Sequence, residues 1–129
     1  MNFKHILKVA GLTALVILTL GLLYFAVVYG QRSAQGRQIV KDSKAITQAL
    51  EYFYQDQNRY PSNDEFLDQN VMRQYLSNFP PQEFVSGGCE ASYEYQNNFR
   101  SDYELRFCLP KGVSGYSTGW NVVKSPVKE

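Results

Sequence analysis

Val9-Ala10-Gly11-Leu12-Thr13-Ala14-Leu15-Val16-Ile17-Leu18-Thr19-Leu20-Gly21-Leu22-Leu23-Tyr24-Phe25-Ala26-Val27-Val28-Tyr29 carries no charge, and its only polar side chains are two threonines and two tyrosines. A hydrocarbon layer of about 30 Å takes about 20 apolar residues in helical form, and this run supplies them. Residues 6–29 therefore read as one membrane helix, with residues 9–29 as its transmembrane span after a short basic leader of residues 1–8. A cleaved signal peptide is the competing reading, because Val28-Tyr29-Gly30 resembles a cleavage region. Such peptides have an apolar region of about 7–15 residues, and this one is longer, which favours retention in the membrane.

Working outward, no proline interrupts the chain between Arg32 and Gln57. Ile39, Ile46, Leu50 and Phe53 recur at offsets that fall on one face at 100° per residue. Arg37, Lys41, Lys44, Gln48, Glu51 and Gln55 gather on the other. Residues 30–57 are thus an amphipathic extension of the first helix. Gly30 and Gly36 weaken the junction by about 1 kcal/mol each and mark a possible bend. A continuous helix over 9–57 would be about 73 Å long, enough to cross the bilayer and stand clear of it.

Residues 58–129 read as a small α+β domain. Asn58-Arg59-Tyr60-Pro61 stops the helix, since proline disfavours helical geometry at the preceding residue. Ser62 with Glu65 three positions on has capping-box spacing. A second helix is expected to run to about Leu76, burying Phe66, Leu67, Met72, Tyr75 and Leu76. Pro80-Pro81 ends regular structure, and Ser86-Gly87-Gly88 makes a turn. Alternating runs then predict strands over 91–96 and 103–109, and a short third over 119–124, with turns at Asn97-Asn98, Ser101-Asp102 and Pro110-Lys111-Gly112. Two or three strands need a cover to be stable, and the Ile39/Ile46/Leu50/Phe53 stripe is available for helix-to-sheet packing. The fold class is α+β: a long N-terminal helix packed on a small antiparallel sheet.

Both cysteines, Cys89 and Cys108, follow the apolar run and lie 19 positions apart. In a small exported domain such a pair most simply forms one disulfide; two buried thiols in a cytoplasmic domain are the alternative. Charge counting points the other way. Lys4 and Lys8 precede the helix, but Arg32, Arg37, Lys41 and Lys44 follow it, which by the positive-inside rule slightly favours a cytoplasmic domain. The cysteine pair outweighs this, and the N-terminus is placed in the cytoplasm with the domain outside, in the periplasm or at the cell surface.

Little here supports catalysis. The single histidine, His5, sits at the membrane boundary, so Ser-His-Asp and Cys-His sets are excluded for the exported domain. Neither a phosphate-cradling loop nor metal-ligand spacing occurs, and no cofactor or small-molecule substrate is expected. A net charge of +1 with no basic, aromatic-interleaved stripe argues against nucleic acid. Asp64, Glu65 and Asp68 could offer carboxylate oxygens to calcium, although acidic residues also simply favour a helix start. Tyr52, Phe53, Tyr54, Tyr60, Tyr93, Tyr95, Phe99, Tyr103, Phe107, Tyr116 and Trp120 either pack the core and subunit contacts or form a platform for a peptide or glycan.

The stretch Ala49-Leu50-Glu51-Tyr52-Phe53-Tyr54-Gln55-Asp56-Gln57-Asn58-Arg59-Tyr60-Pro61 resembles the helix end and tyrosine-proline turn of type IV pilins and of the pseudopilins of type II secretion systems. Tyr93-Glu94-Tyr95 and Tyr103-Glu104-Leu105-Arg106-Phe107-Cys108-Leu109 resemble that group's strand pair. The resemblance covers most of residues 37–124. It implies a non-enzymatic, membrane-anchored structural subunit that meets other pilin-like subunits by helix–helix packing, with Gly11 and Leu12 flanking a processing site. The motif departs from the family at two places: Leu12 stands where an aromatic residue is expected and Val16 where a glutamate is. That glutamate is thought to pair with a neighbour's terminal amine, which Val16 cannot do. The resemblance is thus to a tip or minor subunit, or to an unprocessed pilin-like protein that forms no filament. From a different class, an anchored extracytoplasmic module binding a peptide, glycan or envelope protein is the alternative.

Overall fold

The computed structural model of the 129-residue chain describes residues 3–82, 85, 88–97 and 101–126. Two compact units partition it, Met1–Arg32 and Ser33–Glu129. One helix, α1 (Phe3–Gln57), contributes to both. Both threonines of its apolar run bond their own helix backbone. The Thr13 hydroxyl donates to the Val9 and Ala10 carbonyls and the Thr19 hydroxyl to that of Val16, as an environment without water demands.

In the second unit α1 supplies one wall of the core. Ile39, Ile46, Leu50 and Phe53 are buried, and so are Val40 and Ala49 between them. Gly36 does not interrupt the helix. It lies under the chain at Lys111–Val113, where an added Cβ would come within 3.2 Å of the Lys111 carbonyl oxygen. The glycine lets helix and loop backbone approach, and a side chain there would push the loop away. Asn58 ends α1 in the left-handed region (φ 54°) and its amide donates to the Tyr54 carbonyl at 2.8 Å, a left-handed C-terminal cap.

Beyond the tyrosine-proline turn, the single helix expected to reach Leu76 is two short ones, α2 (Asn63–Leu67) and α3 (Gln69–Met72). Asp68 separates them with extended backbone (ψ 104°), and its carboxylate accepts the Asn70 amide at 2.8 Å. An aspartate competes with helix continuation because its short side chain bonds nearby backbone. The break turns Leu67 outward, 67 % exposed, contrary to the buried role expected of it; Phe66 and Met72 are buried and Tyr75 and Leu76 half-buried.

Three strands follow, β1 (Tyr93–Asn97), β2 (Tyr103–Leu109) and β3 (Gly119–Lys124). They form one antiparallel sheet in the order β1-β2-β3. The register pairs Tyr95 with Leu105 and Leu105 with Val123. Because side chains alternate across a strand, Tyr93, Tyr95, Tyr103, Leu105, Phe107 and Leu109 share the face that joins the core cluster with the α1 residues. Glu94, Arg106 and Trp120 share the other, where Arg106 pairs with Glu94 at 3.1 Å and lies 5.0 Å from the Trp120 ring centroid. β1 starts two residues later than expected, since Ala91 and Ser92 form a bend. The Asn97-Asn98 turn, Phe99 and the Ser86-Gly87 part of the glycine turn lie wholly or partly outside the described residues.

Candidate functional surfaces

Three features stand out: the apolar half of α1, a polar and aromatic clamp around the Tyr60-Pro61 turn, and a groove beside residues 35–43. Within α1 an 18-residue window of mean hydropathy 2.4 has none of its area buried. The helix is long and apolar enough to cross a membrane, with side chains such as Ile17 and Phe25 exposed at 70 % and 72 %. Gly11 and Gly21 have open space around them, so an added Cβ at either meets nothing within 4 Å. Leu12 and Val16 are exposed on this helix, and His5 precedes them on it.

Cys89 and Cys108 are bonded, with Cα atoms 6.3 Å apart. The bridge fastens the segment entering β1 to the end of β2, where the Cys108 amide also donates to the Ser92 carbonyl at 2.9 Å.

The acidic trio near α2 has separate tasks. Glu65 completes the capping box, its carboxylate accepting the Ser62 amide at 2.8 Å while its own amide donates to the Ser62 hydroxyl. The same carboxylate takes both arms of the Arg59 guanidinium, at 2.6 and 2.7 Å, a bidentate geometry that arginine favours. Asp68 caps α3, and Asp64 is exposed in the first turn of α2. No group of three or more potential metal-ligating side chains gathers among the described residues. Glu65 and Asp68 each accept a backbone amide at a helix start.

Arg59 and the Ser62 amide hold Glu65 down at a pKa of about 2, against 4.5 for a free side chain. A folded-state pKa below the unfolded one gives stability present above pH 4.5 and lost as pH falls towards 2. About a third of both side chains is exposed, so solvent screening keeps the effect modest. Glu65→Gln keeps the cap but not the charge. It should cost about 1 kcal/mol at pH 7 and nearly nothing at pH 2, so thermal melts from pH 7 to 2 should converge. A gap of constant size across that range would contradict the assignment.

Around the turn, tyrosines satisfy backbone groups that a proline-containing loop leaves open. The Tyr95 hydroxyl and the Asn97 side-chain Nδ2 donate to the Pro61 carbonyl, both at 2.7 Å, and the Tyr60 hydroxyl donates to Glu51 at 2.8 Å. The Tyr93 hydroxyl donates to the Pro80 carbonyl. Burial raises the pKa of Tyr60, Tyr93 and Tyr95, and lifts Tyr103 to about 12. All four stay neutral at physiological pH, and Tyr60, Tyr93 and Tyr95 are the donors among them. Phe66 stacks on Tyr95 at 4.2 Å and Tyr60 meets Tyr103 edge-on at 4.7 Å. Tyr60, Tyr93, Tyr103 and Phe107 are thus spent inside the core, while Tyr52 is exposed.

The third feature had no signal in the sequence. A groove of about 500 Å³ lies between α1 and the Phe79–Pro81 segment, which folds back beside Ser92 and Tyr93. Asp42 lines it, and its carboxylate accepts from the Gln38 side-chain Nε2 one turn earlier at 2.8 Å. The i, i+4 spacing of Gln38 and Asp42 was legible; that a proline segment would wall them in was not.

No family model matches the chain, and neither a curated protein nor a solved structure matches it.

Proposed function

We propose that the protein is a pilin-like, non-enzymatic structural subunit, anchored by α1 with its N-terminus in the cytoplasm and its disulfide-closed domain outside. Assembly proceeds by packing the apolar half of α1 against other such helices. The observation that carries this reading is the exposed apolar window of α1, on a helix whose second half supplies the core of the folded unit. A segment of that kind serves an anchor, and its small residues permit close helix approach. The buried disulfide supports an oxidising compartment. The burial of Phe53, Tyr60, Tyr93, Tyr103 and Phe107 removes part of the surface that a glycan- or peptide-binding module would need.

Gly21→Leu gives a direct test. The added side chain meets nothing in the isolated chain, so the folded unit should be unchanged. In vesicles, energy transfer between labelled full-length copies should fall at least about fivefold if Gly21 lies in a close helix contact, and Gly11→Leu serves as a second site. A wild-type protein that neither self-associates nor co-purifies with other single-helix subunits would overturn the reading.

A further inference from the structure

The Ser33–Gln57 part of α1 presents two surfaces that its own domain leaves open. One is the groove. Its floor includes Ile39 and Phe79, and Asp42 stands at its polar side with Gln38, Ser43 and Asn78. An apolar wall ending in a carboxylate and amide oxygens has the chemistry that receives a lysine, whose stem packs on apolar surface while its ammonium seeks acceptors. Asp42 forms no ion pair among the described residues. The other surface is the stripe Arg37, Lys41 and Lys44, all exposed, at spacings of four and three. Arg37 donates to Ser33 at 2.8 Å, and no ion pair among the described residues neutralises Lys41 or Lys44. Like charges at these spacings repel along a helix, so the stripe is unfavourable in the lone chain.

Groove and stripe lie on the same stretch of helix but about 130° apart around its axis at 100° per residue. They have opposite charge, and no ion pair joins them within one chain among the described residues. We infer that the groove beside Asp42 receives the Lys41/Lys44 stripe of a second copy of this chain. Since the two surfaces differ, the contact is head-to-tail, and it extends into an open series unless the rotation happens to close a ring. The inference rests on the assembly proposed above and names where the folded units meet in it.

The test uses full-length protein in vesicles, with donor and acceptor fluorophores on separate copies. Asp42→Asn and the double variant Lys41→Gln/Lys44→Gln should each associate about tenfold more weakly than wild type, and wild-type association should weaken as salt rises. Mixing the two variants should restore transfer between them, because one keeps an intact stripe and the other an intact groove. The triple charge exchange D42K/K41E/K44E should associate nearly as well as wild type, which also shows that it folds. If wild type associates and the variants do so equally well, the inference fails while assembly through the membrane helix stands. Weakened variants that gain nothing from mixing would also overturn it, as would an oligolysine peptide that fills the groove without reducing association. Wild type that does not associate at all removes both the inference and the function on which it rests.

Discussion

Phe107→Ala should cost the folded unit about 3–5 kcal/mol, the range for truncating a buried aromatic. Phe107 has no exposed surface, sits in the middle strand, and faces the core between its partners Tyr93 on β1 and Asn121 on β3. Its ring meets Tyr116 edge-on at 5.0 Å, tying the β2–β3 connection to the sheet. Eleven large side chains among the described residues are fully buried, and total stabilities of about 5–15 kcal/mol are usual. One truncation therefore removes a large part of the margin. Near-UV circular dichroism of the full chain in detergent micelles should show the melting temperature falling by at least about 12 °C. The far-UV signal of the apolar half of α1 should persist through that transition, because none of that window is buried against the folded unit. A loss under about 1 kcal/mol would mean that the ring does not fill the core as described.

Replacing both cysteines by serine should be the next most damaging change. The bridge joins positions 19 apart in sequence, a separation for which chain-entropy estimates give about 3 kcal/mol, although the entropic account is disputed. The closed loop contains β1 and the β1–β2 turn, so without it the edge strand must be held by hydrogen bonds and by Tyr93 and Tyr95 alone. Both sulfurs are buried, at 3 % and 1 % exposure of their residues, so reductant should reach them slowly in the folded protein and quickly once it unfolds. Rapid reduction of the native protein with no change in melting temperature would contradict a structural role.

How far the sequence anticipated this structure differs from element to element. β2 and β3 occupy the runs that alternation picked out, because a sheet with one buried face imposes a period of two that survives in the residues themselves. The helical stripe of Ile39, Ile46, Leu50 and Phe53 was readable for the same reason at a period of 3.6. Val40 and Ala49 were passed over since they sit at the edge of that stripe, where burial depends on what packs alongside. The α2–α3 region failed for a local cause: Asp68 can cap a helix as well as sit within one, and only the geometry shows that it caps. Gly36 read as a weak point and is also a close approach, which only the loop at Lys111–Val113 in place reveals. The groove beside Asp42 is wholly tertiary. Its far wall comes from residues nearly forty positions on, and no spacing announces it.

The central claim is that α1 remains in the mature protein as a membrane anchor for a disulfide-closed domain. The intact mass of the protein recovered from washed membranes, taken without reductant, tests it most directly. The account predicts a membrane-bound species that retains the apolar run, beginning at Met1 or, if processed, at Leu12, and lighter by two hydrogens than the reduced chain. A soluble species beginning near Gln31, or a mass showing two free thiols, would contradict it.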